Sequence, residues 1–191
     1  MRTLLAALPL ALAQPVAAEA ARPKFIAVEL IAESAAPRPG GSMLVGLRMV
    51  PKPGWHSYWS NPGEAGFPTL VEWSAPPGAR FGPLRHPPPR TIETAGMTSF
   101  VHEGPHVLVA RMTLDRGIAA GTPLPVTADV SWAACSDKLC VPERATLKLV
   151  LVAGNGAPSP HRALLRAAVA REPRQAEKGA FDAVDGRLLI Q

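Results

Sequence analysis

The sequence predicts an all-β protein, an immunoglobulin-like β-sandwich with both cysteines on one hairpin, followed by a short C-terminal helix and a strand fragment. Three observations carry this. About seven short segments alternate apolar and polar residues, the two-residue period of strands that bury one face. The 22 Pro and 16 Gly fall between those segments rather than in one block, so turns punctuate the chain. Two long alternating segments, 125–135 and 140–152, lie close enough in sequence to pair as a hairpin, and they carry Cys135 and Cys140.

Residues 1–20 read as a removed signal peptide. Arg2 gives a positive start, residues 4–13 form an apolar stretch too short to span a bilayer, and Ala18-Glu19-Ala20 is a small-x-small cleavage pattern. Residues 24–153 then form the β-domain. Segment 24–33 opens with Phe25, Ile26, Val28, Leu30 and Ile31, and segment 42–49 puts Met43, Val45, Leu47 and Met49 on one face. Pro51-Lys52-Pro53-Gly54 is a turn, 55–59 a short aromatic strand, and Asn61-Pro62-Gly63 another turn. Segment 69–74 gives Val71 and Trp73 to one side. Residues 81–104 are expected to form a proline-rich irregular loop, with His86-Pro87-Pro88-Pro89 extended and exposed. Segment 106–114 is a clear strand. In the hairpin, Val126, Ala128, Val130, Trp132 and Ala134 share one face, which leaves Cys135 on the other.

The tail, 154–191, changes character. Ser159 is expected to cap a helix with Pro160 in its first turn, and Leu164, Leu165, Ala168 and Val169 make an apolar stripe before Pro173. Val184-Asp185-Gly186-Arg187 then resembles a hairpin turn entering a strand, and a strand at the chain end suggests a fragment of a longer protein.

The net charge of +5 comes largely from scattered Arg, and no basic run alternates with aromatics, so nucleic-acid binding is set aside. Export places the cysteine pair in an oxidising compartment where a disulfide persists. Opposed residues of an antiparallel pair lie within reach of such a bond. Closing so small a loop removes little unfolded-state entropy, so stability is a poor reason for the bond. A structural staple nonetheless stays open, as does a metal site: His102 and His106 are the side chains that would join the cysteines around copper, although the cysteine spacing does not suit structural zinc. Lys138 between the cysteines favours a thiolate, Asp137 opposes it, and Pro142 suits an exposed edge.

Longer motifs add a specific resemblance. Gly54-Trp55-His56-Ser57-Tyr58-Trp59-Ser60-Asn61-Pro62-Gly63-Glu64-Ala65-Gly66, Val71-Glu72-Trp73, Val130-Ser131-Trp132-Ala133-Ala134-Cys135 and Cys140-Val141-Pro142-Glu143 together resemble the amino-terminal periplasmic domain of the DsbD thiol:disulfide interchange family, in its copper-sensitivity suppressor (ScsB) branch. The resemblance implies that Cys135 and Cys140 are a redox pair and form a disulfide, with no cofactor and no metal. It implies two partners: a membrane-embedded thiol reductase domain, and periplasmic thioredoxin-like or disulfide isomerase proteins, including those of cytochrome c maturation. It also implies a cap over the disulfide, for which Phe100 is the candidate shield and His102 or Glu103 the candidate proton handler. Trp55, Tyr58 and Trp59 are assigned to architecture. The membrane channel and carboxy-terminal thioredoxin-like domain of the family have no counterpart in this sequence. The rival expectations are a non-catalytic secreted binding module with a structural hairpin disulfide, and a copper-binding or copper-tolerance protein.

Overall fold

The computed structural model describes residues 24–172 and the backbone of two short strands beyond them, so the expected signal peptide lies outside the described residues. Among the described residues ten strands precede one helix. They are β1 (Ile26–Ala32), β2 (Ser42–Pro51), β3 (Ser57–Gly63), β4 (Leu70–Ser74), β5 (Ala79–Phe81), β6 (Arg90–Thr94), β7 (Met97–His102), β8 (His106–Leu114), β9 (Pro123–Cys135) and β10 (Cys140–Val152), followed by α1 (Arg162–Ala170). Two sheets make the sandwich, ordered β1-β2-β8-β5 and β10-β9-β4, and the antiparallel sheet β3-β7-β6 sits beside them. The fold is the immunoglobulin-like all-β class that the alternation predicts.

The main core lies between the two sandwich sheets. Val28, Leu30, Val45, Leu47, Leu108 and Met112 from the first sheet meet Leu124, Val126, Ala128, Val130, Trp132 and Leu147 from the second. Trp132 is fully buried. The outer face of the first sheet is covered by α1, where Leu165 enters a cluster with Ile31, Leu44, Val107 and Val109. Gly46 makes that approach possible, since a Cβ there would stand 2.6 Å from Leu165 Cδ2 and 3.0 Å from Val107 Cγ1.

Three expectations are corrected. The first concerns residues 81–104, of which the stretch between Phe81 and Arg90 and the two residues after His102 are irregular. The rest is the hairpin β6–β7, turning at Ala95 and Gly96 with φ of 52° and 77°, the pair of positive angles a tight two-residue hairpin demands. Ala95 disguises that turn, because only its glycine partner is an ordinary turn residue. Secondly, Asn61-Pro62-Gly63 is not a separate turn but the irregular end of β3, where the register with β7 shifts between Tyr58 and Gly63. Finally, Ser159 does not cap α1. Its Oγ donates to the Ala32 carbonyl and accepts from the His161 N–H, so it ties the helix approach to β1 while His161 takes the cap position without a side-chain bond. The expected terminal hairpin is present as β11 (Phe181–Val184) paired with β12 (Arg187–Ile190), and its turn residues Asp185 and Gly186 lie outside the described residues.

Candidate redox site

Cys135 ends β9 and Cys140 begins β10, directly opposite each other in the register. They form a disulfide with Cα atoms 4.0 Å apart. Local backbone bonding explains why the pair meets. The Cys135 N–H donates to the His56 carbonyl at 3.0 Å, and its carbonyl accepts from the His56 N–H at 2.8 Å. A strand residue turns both groups toward one neighbour, so toward β10 Cys135 occupies a non-hydrogen-bonded position, where facing side chains come closest. The turn is closed by Ser136, whose N–H donates to the Leu139 carbonyl at 2.8 Å and whose Oγ accepts from Lys138 and Leu139 N–H at 3.3 and 3.2 Å.

The two cysteines differ in surroundings. Cys135 is 1 % exposed, in a small cluster with Tyr58, Val101 and Ala133, against which Phe67 and Ile92 pack. Cys140 is exposed, next to an exposed Leu139. Alternation alone leaves Cys135 on the face away from the main core. It is nevertheless buried, because the β3-β7-β6 sheet folds over that face. A groove of about 560 Å³ runs alongside, lined among others by Trp55, His56, Ile92, Glu103 and Asp137.

The aromatic side chain at the exposed sulfur is Tyr58, whose hydroxyl lies 3.8 Å from Cys140 Sγ. Its ring is 4 % exposed and lies against Gly66, whose missing side chain and φ of 76° make room for it. Burial pushes the Tyr58 hydroxyl above its ordinary value, so it remains a proton donor across the physiological range. Phe100 lies on the other side of β7 from Val101, half-buried and edge-on to Trp59 with ring centres 6.1 Å apart, and it is not among the residues clustered with Cys135. Glu103 pairs with Arg90 at 2.9 Å on the surface. Tyr58 was missed as a site residue because its distance to Cys140 is set by β3 packing across β9, a contact that no nearby spacing signals.

His102 is drawn into a different arrangement. It is 6 % exposed, its ring 4.6 Å from that of His106 and 6.2 Å from that of His86. His86 was expected to be exposed, but Arg85 bridges Val109 in both directions and so carries His86 inward to 9 % exposure. His106 Nδ1–H donates to the Gly104 carbonyl at 2.8 Å, which leaves Nε2 to accept from the Ser57 hydroxyl at 3.1 Å. His86 Nδ1 and His102 Nε2 are buried with no partner among the described residues. Burial presses all three imidazoles down, to about 4 for His86 and His106 and to about 3 for His102; repulsion from neighbouring imidazoles adds to it at His86 and His102, while the Gly104 hydrogen bond opposes it at His106. Among the described residues no three His, Cys, Asp or Glu side chains are grouped to hold a metal ion.

A pH dependence follows. The unfolded chain protonates these imidazoles near 6.5 while the folded one resists, so their contribution to stability is complete above about pH 6.5 and declines as pH falls toward 4. Urea unfolding should show a loss on the order of a few kcal/mol between pH 6.5 and 4.5, and a shallower loss in His102→Gln. An unchanged midpoint over that window would contradict the burial of the trio.

The two cysteines of the sandwich domain close a hairpin, one sealed under a third sheet and the other open to solvent, the arrangement a thiol–disulfide exchange pair needs. The domain's family is named by the match of residues 22–152 to the family model described as "Thiol:disulfide interchange protein DsbD, N-terminal". The chain belongs to that family. Among solved structures, the N-terminal periplasmic domain of ScsB from Proteus mirabilis shares the fold at 19 % identity with a TM-score of 0.61, covering 87 % of this chain and 63 % of that one. The chain thus spans less than two thirds of that relative. The N-terminal domain of Neisseria meningitidis DsbD in the reduced form aligns at 16 % identity over 68 % of this chain and 90 % of that one, with a TM-score of 0.34. No curated protein matches. Among the described residues no helix is long and apolar enough to cross a membrane.

Proposed function

We propose that the chain is exported to the periplasm with residues 1–20 removed, that 24–153 is the exchange domain and 154–191 the start of a further segment, and that Cys135 and Cys140 relay two electrons from a membrane-embedded thiol reductase to thioredoxin-like or disulfide isomerase proteins. The carrying observation is the asymmetry of the pair within a family of thiol relays, with Cys135 1 % exposed and Cys140 open. The reductase thiolate attacks Cys140 Sγ, the Cys135–Cys140 bond breaks, and Cys135 leaves as the thiolate and takes up a proton. The reductase's second thiol then displaces Cys140, so the reductase ends as a disulfide and this domain as a dithiol. In the forward step the Cys140 thiolate attacks the partner's disulfide, and Cys135 resolves the mixed disulfide by re-forming its bond to Cys140.

Tyr58 supports the Cys140 steps, because its protonated hydroxyl is placed to donate to the sulfur whenever that sulfur carries charge. Phe100 packs edge-on against Trp59 of β3 and is kept as the candidate shield through that contact. His102, neutral and buried, belongs to the histidine cluster rather than to proton transfer, while exposed Glu103 lines the groove beside the hairpin. The test is stopped-flow exchange between the oxidised domain and a reduced thioredoxin-like protein. Rapid reduction is expected, slowed about tenfold in Tyr58→Phe if the lost hydrogen bond contributes about 1.4 kcal/mol in the transition state. A reduction potential below about −300 mV with no reduction by such partners would falsify the relay and leave a structural staple.

A further inference from the structure

We propose that Glu143 is a positioning residue for the cysteine pair, the bolt that fixes both sides of the redox hairpin to the start of β1; the role presumes the thiol–disulfide chemistry proposed above. Glu143 lies three residues beyond Cys140 on β10 and directly opposite Trp132. Its carboxylate accepts three N–H groups from two separate segments. Oε1 takes the Phe25 backbone N–H at 2.9 Å, while Oε2 takes the Ile26 backbone N–H at 3.2 Å and the Trp132 indole N–H at 3.1 Å. Hydrogen bonds to a carboxylate are stronger than neutral ones, and three of them hold the group in one orientation.

From this acceptor two paths lead to the sulfurs. One runs along β10 itself, where holding Glu143 against Trp132 keeps the first residues of the strand in register with the end of β9. The other runs through Phe25. Its ring stacks on Trp55 with centroids 3.6 Å apart and planes within 12°, and its carbonyl accepts the Lys52 N–H at 2.9 Å. Trp55 is followed by His56, whose N–H and carbonyl are the partners of Cys135. Thus Cys140 is held from its own strand and Cys135 from the strand at its back, and a single carboxylate joins the two supports.

A disulfide is stable against external thiols to the extent that its two sulfurs are held together, which is their effective concentration. Loosening either support separates the thiols in the reduced form and shifts the balance of disulfide plus two glutathione thiols toward dithiol plus glutathione disulfide. Glu143→Ala is expected to move that equilibrium constant toward the dithiol about tenfold, equivalent to about 30 mV. Glu143→Gln, which keeps one acceptor oxygen, should move it less. Trp55→Leu, which removes the Phe25 stack and leaves the carboxylate, should move it in the same direction, so the outcome does not depend on the alanine variant folding.

The control is Leu165→Ala on the far side of the first sheet, a substitution that lowers stability without touching either path. If Glu143 serves only the fold, its variants and Leu165→Ala will lower the melting temperature and leave the glutathione equilibrium within twofold of the unaltered protein, and the proposal is overturned. If Glu143→Gln and Trp55→Leu shift it and Leu165→Ala does not, the role stands. The equilibrium is measured with glutathione alone, so a failure of the unaltered domain to exchange with thioredoxin-like proteins would count against the relay and not against Glu143.

Discussion

Cys135→Ser is expected to accumulate a covalent heterodimer with a thioredoxin-like partner through Cys140, whereas Cys140→Ser is expected to accumulate none. The pair is chemically symmetric in sequence, and exposure breaks the symmetry. An incoming sulfur must align with the bond it attacks, and Cys135, 1 % exposed beneath Tyr58, Val101 and Ala133, offers no line of approach without local opening. Opening the covering sheet by even about 2.7 kcal/mol would slow attack roughly a hundredfold. The same ratio should appear in a simpler assay, the reaction of each single-cysteine variant with an aromatic disulfide reagent. Comparable rates at the two cysteines, or trapping only through Cys135, would reverse the assignment of Cys140 as the attacked sulfur.

Trp132→Ala should cost the largest share of stability. Trp132 is the largest fully buried side chain, sits between the sandwich sheets, and donates its indole N–H to Glu143. Emptying such a site costs about 3 to 5 kcal/mol, and a domain of this kind has about 5 to 15 kcal/mol to lose. The hairpin disulfide closes only a short loop, so it offsets little of the loss. Trp132→Phe keeps most of the ring and loses the donor, so its deficit should be about 1 to 2 kcal/mol. Urea unfolding monitored by circular dichroism checks both values, and a loss below about 1 kcal/mol for the alanine variant would mean that the sheets collapse around the gap.

The strands legible in the sequence were those whose two faces see different surroundings. β2, β8, β9 and β10 lie at or near their expected bounds because one face meets the sandwich core. The β6–β7 hairpin escaped notice because its turn uses Ala95 in a left-handed conformation and because only Ser99, Val101 and His102 are buried along β7. His86 looked like part of an exposed proline run and is buried, since Arg85 pairs with Val109. Of the candidate site, Cys135 and Cys140 were legible from their hairpin placement. Tyr58 was seen only as architecture, and Glu143 only as part of a motif.

By itself the sequence determined the fold class, the hairpin and the facing of its two cysteines, because period-two alternation and turn residues act over neighbouring positions. Only the tertiary structure decided which cysteine is sealed, which aromatic reaches the open sulfur, and which carboxylate ties the hairpin to β1. Those contacts join residues 82 positions apart for Tyr58 and Cys140 and 118 for Phe25 and Glu143. Distances of that kind are set when sheets pack on one another, and packing leaves no period in the chain from which they could be read.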